Sequence, residues 1–141
     1  MHKRLDDIKV HEVNILKRLR FAPGAIIVID RGCVDYELFG RWTAEGVYFV
    51  MRLKGNASYR VKKRLPLPEN RNILKDEVIK FKGFYAKEHC SYPLRRIEVI
   101  DNETGDIIVL LTNHMTFGAT TVSAIYKDRW HHNHFSFNRT A

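Results

Sequence analysis

The chain has 141 residues, of which 45% are hydrophobic and 28% are charged, and these values are ordinary for a globular domain and exclude extensive disorder. Its formal net charge of +8 at pH 7 favours a polyanionic partner, because Lys and Arg side chains that neutralise phosphates release counterions. The sequence holds neither a run of about 18 apolar residues nor the apolar core of a signal peptide, so we expect one cytoplasmic domain without a membrane segment.

The first part of the chain is predicted to form a strand, a helix and a second strand. A short helical pattern over residues 12–19 precedes residues 25–30, where the run AIIVID predicts a strand that is buried on both faces. A helix is expected over 36–45 and a second buried strand over 47–53. Strand, helix and strand in this order form a right-handed crossover, and this connection places the two strands parallel in one sheet.

Asp30 ends the first of these strands and is followed at once by a glycine turn. The carboxyl end of a central parallel strand is where open α/β sheets place their ligands and their chemistry. Asp30 is therefore the candidate catalytic residue. The alternative is a structural role, in which Asp30 pairs with Arg31 or caps the helix that follows.

Residues 55–115 have the pattern of an antiparallel β region. The turn sequence at 101–106 lies between two stretches of alternating apolar residues and predicts a hairpin. The strands of this region are expected at 58–63, 78–84, 94–100 and 107–112.

The last predicted element is a helix that begins at residue 119 and carries Tyr126 and Arg129 three residues apart, on one face. One interpretation of this face is structural, with Tyr126 in the core and Arg129 paired with a neighbouring carboxylate. The three histidines within residues 131–134 resemble a metal-binding cluster, but a terminal segment offers no fixed set of further ligands, so we expect a frayed tail there.

Several stretches carry a further pattern, namely DRG at 30–32, DYELF at 35–39, VYFVMRLK at 47–54, IIVLLTN at 107–113 and AIYKDRW at 124–130. Together they resemble insertion-sequence transposases of the DDE type, in particular the group with a Tyr-Arg-Glu-Lys signature, over roughly residues 8–130. The resemblance implies an α/β fold with a partial ribonuclease H-like mixed sheet. The strand–helix–strand core would span 10–54, an inserted antiparallel β region 55–115, and a C-terminal helix 119–132.

Members of this family hold a pair of divalent metal ions with two Asp and one Glu. By resemblance, Asp30 is the second Asp, both a catalytic residue and a metal ligand, and Mg²⁺ is the expected cofactor. The first Asp would lie upstream of Met1, the Glu position holds Asn133, and the signature Lys position holds Thr140. We therefore expect residues 1–141 to form a single partial catalytic domain that binds Mg²⁺ poorly and is catalytically inactive, with a divergent tail at 131–141.

The resemblance also makes DNA at insertion-sequence ends the expected partner. Tyr126 and Arg129 lie on the helix that meets terminal DNA phosphates in this family, and a basic run on β sequence adds Lys54, Lys62 and Lys63. The alternative for the lysines is a solvated face, which is the usual role of charged runs.

Two functions remain open from the sequence. The chain is a truncated transposase whose ancestral activity is DNA cleavage and strand transfer, or it is a basic, non-enzymatic DNA-binding remnant; a translated fragment without a role is a third reading. The truncation also predicts self-association, because the strand at 25–29 would lack one neighbour and expose an apolar edge.

Overall fold

The computed structural model of the protein describes residues 16–32, 35–53, 57–69, 72–132 and 135–139. Its helices are α1 (Tyr36–Ala44), α2 (Phe84–His89) and α3 (Ala119–His132). Its strands are β1 (Ala25–Gly32), β2 (Tyr48–Leu53), β3 (Tyr59–Arg64), β4 (Ile73–Phe81), β5 (Leu94–Ile100), β6 (Ile107–Thr112) and β7 (Phe135–Arg139).

The strands of the described ranges form one seven-stranded mixed sheet in the order β3-β4-β5-β6-β2-β1-β7. β1 and β2 are parallel, whereas the other neighbouring pairs are antiparallel. The predicted α/β class is confirmed. The β region predicted after the core is antiparallel as expected, but β6 pairs directly with β2, so this region continues the core sheet and is not separate from it.

Helix α1 connects β1 to β2 as the crossover that the sequence predicts. Asp35 caps its N-terminus, where the Asp35 carboxylate accepts a hydrogen bond from the Leu38 N–H at 2.9 Å. Beyond its C-terminus, Gly46 adopts a φ of 75°, which residues with a side chain rarely adopt. The chain then enters β2, where Tyr48 pairs with Ile26 in parallel register.

Two segments differ from the predicted elements. The strand expected over 78–84 begins at Ile73 and ends at Phe81. Phe84 instead starts α2, because Gly83, with a φ of 105°, turns the chain out of the sheet. Of the helix expected over 12–19, residues 16–18 are helical and residues 12–15 lie outside the described residues.

Two hydrophobic clusters lie on opposite faces of the sheet, because successive residues of β1 alternate between them. The first contains Ile27 and Ile29 and is closed by buried side chains of α1, including Trp42. The second contains Ile26 and Val28 and is closed by residues of α3. No helix among the described residues is long and apolar enough to cross a membrane.

The segment after α3 forms β7, which pairs antiparallel with β1 from Ala25 opposite Arg139 to Ile29 opposite Phe135. Sequence analysis predicted a frayed tail and an unpaired edge along β1, and both predictions are wrong over the described residues. The tail carries the alternating sequence FSFN, which suits a strand. Since β1 has a neighbouring strand on each side, the edge on which the predicted self-association rested is covered.

Candidate functional site

Asp30 lies in β1, close to the end of the strand at Gly32. The preceding residue, Ile29, pairs with Met51 of the parallel strand β2, so Asp30 occupies the carboxyl end of the parallel pair, as predicted. β1 is internal to the sheet but second from its edge, so it is not the central strand that the sequence suggested. The side chain of Asp30 lies outside the described part of the chain, and its catalytic and metal-binding roles stay predictions.

Tyr126 lies on α3 with 2% of its surface exposed. It belongs to the cluster that contains Ile26, Val28 and Val50, and so packs against the two parallel strands. This burial favours the alternative reading, in which Tyr126 fills the core, over direct contact with DNA. Arg129 follows on the same helix, but its side chain lies outside the description, as does the whole of Lys54.

A cavity of about 230 Å³ lies beside Tyr126, and we call it the α3 cavity. Arg52, which follows Met51 on β2, contributes to its wall. The remaining polar lining comes from α3 and from the turn between β5 and β6: Lys127, Asp101, Asn102 and Glu103. Because cations and carboxylates are mixed in its wall, the α3 cavity does not select an anion.

The carboxylates near the start of α1 and on β4 and β5 are engaged in other interactions. Asp35 caps α1 and pairs with Lys17 at 3.5 Å. Glu77 pairs with Arg64 at 3.3 Å. Within the described residues, no group of three or more His, Cys, Asp or Glu side chains converges as a metal site. Two-metal catalysis needs several anionic oxygens around the ions, so the described side chains do not fit a metal pair.

Arg95 on β5 forms a buried ion pair that sequence analysis missed. Its Nε and Nη2 donate to the two carboxylate oxygens of Asp76 on β4, at 2.7 and 2.6 Å. Both side chains are almost fully buried, and a bidentate pair of this kind fixes both partners. Nη1 of Arg95 also donates to the carbonyl oxygens of His114 and Phe117, so the pair holds the turn that leads into α3.

His114 lies in that turn, where its ring stacks on the Phe117 ring with centroids 3.6 Å apart. The centroid of the Tyr48 ring lies 4.2 Å from that of His114. Its Nδ1 accepts a hydrogen bond from the Phe117 N–H at 3.1 Å. Burial lowers the pKa of His114 below its ordinary value, and the nearby Arg95 guanidinium lowers that pKa further. The turn is therefore built around a neutral imidazole.

The basic run on β3 is divided between different roles. Lys62 lines a second cavity, of about 380 Å³, together with Arg60. Lys63 is exposed on β3, and Arg64 is engaged by Glu77. The register of β3 against β4 shifts between Val61 and Lys63, which breaks the simple alternation that would put the run on one face.

Residues 3–131 match the family model described as "Transposase DDE domain". The chain belongs to that family. DDE transposases as a family generally depend on divalent metal ions.

A curated relative from Sinorhizobium fredii, named "Putative transposase y4zB", is 29% identical to the chain over 133 residues. The alignment covers 89% of this chain and 36% of the relative, so the chain spans about a third of the relative's length. No solved structure matches the chain.

Proposed function

We propose that the chain is a partial catalytic domain of an insertion-sequence transposase of the Tyr-Arg-Glu-Lys group, with a ribonuclease H-like core. The ancestral reaction is metal-dependent DNA cleavage and strand transfer in DNA transposition. The observation that carries the proposal is the placement of Asp30 at the carboxyl end of β1, beside the parallel strand β2, in a chain that matches the DDE domain over residues 3–131. Catalytic carboxylates at such strand ends are typical of open α/β sheets.

We further propose that the 141-residue chain does not cleave DNA on its own. Asp30 is the residue that fits a family carboxylate, whereas the position for the family's Glu holds Asn133. Other carboxylates have structural duties, since Asp35 caps α1 and Asp76 binds Arg95. One carboxylate does not hold a pair of divalent ions, because Mg²⁺ needs ordered oxygen ligands for each metal.

Cleavage of supercoiled plasmid in Mg²⁺ or Mn²⁺ tests this proposal. The wild-type chain, its Asp30→Ala variant and an Asp106→Ala control in the exposed β5–β6 turn should all leave the plasmid intact. Nicking by the wild type and by the Asp106 variant, but not by the Asp30 variant, would show that an additional carboxylate completes the site. That outcome would overturn the proposed inactivity while supporting the role of Asp30.

The second candidate is a basic DNA-binding protein without enzymatic activity, and it is favoured by the net charge of +8 and by the cations around the 380 Å³ cavity. Titration of labelled duplex DNA at several salt concentrations separates it from a chain without a role. We expect weak binding that ignores sequence and falls steeply with salt, because Lys and Arg contacts to phosphates dominate. If the chain does not bind duplex DNA at low salt, the remaining interpretation is a fragment without a role.

A further inference from the structure

The 380 Å³ cavity lies at the β3–β4 edge of the sheet, the edge opposite to β1 and β7, and we call it the basic cavity. Cationic side chains from β3, β4, the segment after β4 and α2 line it: Arg60, Lys62, Lys80, Lys82 and Lys87. Its other lining residues are Phe81, Gly83, Cys90 and Ser91. None of the described residues in its wall is acidic.

Two cations of the basic cavity face each other across neighbouring strands. Arg60 on β3 lies directly opposite Lys80 on β4, and like charges at such a cross-strand position are destabilising. Elsewhere on β4 the charges are complementary, since Glu77 pairs with Arg64. Among the described residues, none of the five cations in this wall forms an ion pair with a carboxylate.

We propose that the basic cavity binds a phosphate group of a DNA backbone, and this rests on the proposed function in taking DNA as the partner. A phosphate supplies the negative charge that the neighbouring strands do not. The volume accommodates a phosphate with part of its sugar, and Ser91 adds a hydroxyl to the cationic wall. Lysine ammonium groups bind phosphate as point charges without demanding one geometry.

The location of the basic cavity separates it from the chemistry proposed for Asp30. β3 and β4 lie at one edge of the sheet, while β1 is second from the other edge, with three strands between β4 and β1. A DNA segment held in the basic cavity is therefore a different contact from one at the end of β1. Binding there positions the polyanion without contributing a ligand to a metal.

The first test compares two double variants that each remove one Arg and one Lys. Arg60→Gln/Lys80→Gln empties the cross-strand pair of the cavity, and Arg18→Gln/Lys75→Gln removes equal charge from exposed positions outside it. Binding of a short duplex is titrated at several salt concentrations. We expect the cavity variant to lose affinity on the order of tenfold and to reduce the slope of log K against log salt by about two, with little change for the control.

Thermal unfolding of the same variants tells a binding defect from a folding defect. Removing the Arg60–Lys80 repulsion is expected to leave the melting temperature of the cavity variant equal to or above that of the wild type. Equal affinity losses in the two double variants would overturn the basic cavity as the site and leave DNA binding itself intact. Failure of the wild type to bind DNA at low salt would instead contradict the DNA partner of the proposed function.

The second test uses Cys90 as a reporter in the wall of the cavity. In a Cys33→Ser background, which leaves a single thiol, the rate of alkylation of Cys90 is measured by mass spectrometry with and without duplex DNA or inorganic phosphate. We expect DNA to slow the reaction and the Arg60→Gln/Lys80→Gln variant to abolish that protection. Protection by inorganic phosphate without protection by DNA would show a site for a small anion and overturn the nucleic-acid assignment, and protection by neither would overturn the site.

Discussion

Asp76 and Arg95 form a buried ion pair outside the stretches of sequence that carry the family resemblance. The two residues are 3% exposed each, and Arg95 joins β4, β5 and the turn before α3. A buried pair of this kind contributes little net energy relative to apolar side chains, because both charges lose their hydration. Breaking it is costly, since it leaves a single charge in the interior.

We therefore expect Arg95→Met to destabilise the fold by about 3–5 kcal/mol, because it leaves the Asp76 carboxylate buried without its partner. The additional change Asp76→Leu should recover a large part of that loss. Arg96→Met, on the same strand but in an ion pair with Glu98 whose side chains are 15% and 16% exposed, should cost clearly less than Arg95→Met. Urea unfolding measures all three, and a double variant as unstable as Arg95→Met alone would contradict this account.

His114 makes stability depend on pH. Its pKa is lowered in the folded state, so folding favours the neutral ring, and the stabilisation is fully present above the ordinary pKa of about 6.5 and is lost as pH falls toward the lower folded value. We expect the melting temperature to fall as pH drops below about 6.5. His114→Gln removes the titrating ring and should flatten that profile. An equally steep profile in the variant would show that other groups are responsible.

At the scale of the elements, α1 and α2 meet at a close backbone contact. Gly40 on α1 faces the carbonyl of His89 at the end of α2, and a Cβ at residue 40 would overlap that carbonyl oxygen. The two helices therefore approach more closely than any residue with a side chain permits. The sequence pattern did not reveal this role, because a glycine inside a helix usually lowers the helical propensity without any visible reason.

We expect Gly40→Ala to destabilise the protein by about 1–3 kcal/mol, although alanine is the better helix former, because the overlap forces α1 and α2 apart. Gly118→Ala is the control, since a Cβ at residue 118 meets no heavy atom within 4 Å. Its effect should stay below about 1 kcal/mol. Denaturant midpoints of the two variants decide between these expectations, and a neutral Gly40→Ala would mean that the contact relaxes freely.

The elements with strong local signals were predictable from the sequence. The two-sided apolar run before Asp30 and the alternation around the 101–106 turn predicted β1, β5 and β6 closely. The role of Tyr126 was not predictable, because helical spacing puts a residue on a face without saying whether DNA or the sheet lies against it. The basic cavity was not predicted either. Lys87 contributes to its wall from α2, and the sequence pattern predicted a strand up to residue 84 and no helix after it.

At the scale of the whole molecule, β7 determines whether β1 lies inside the sheet or at its edge. It pairs with β1 along five residues, from Ala25 to Ile29. This stretch of β1 is apolar and carries no charge, so it would template pairing with another chain if β7 were absent. The C-terminal segment 135–139 thus takes a structural part in the sheet.

We expect a variant shortened to residues 1–132 to self-associate, because its β1 strand has an open apolar edge. The 141-residue chain, in which β7 covers that edge, should sediment as a single species over the same concentrations. Sedimentation velocity at increasing concentration measures both proteins. A shortened variant that stays monodisperse would mean that β7 is not needed to protect β1.

The pairing of β1 with β7 also has a consequence for the order of events during synthesis. β1 and β2 are close in sequence, so their parallel pairing can form as soon as α1 and β2 have been synthesised. The pairing on the other side of β1 requires residues up to Arg139. Until residues 135–139 have emerged from the ribosome, one side of β1 has no partner strand. We therefore expect the nascent chain to be most prone to aggregation, and most dependent on chaperones, between the synthesis of α3 and the emergence of β7.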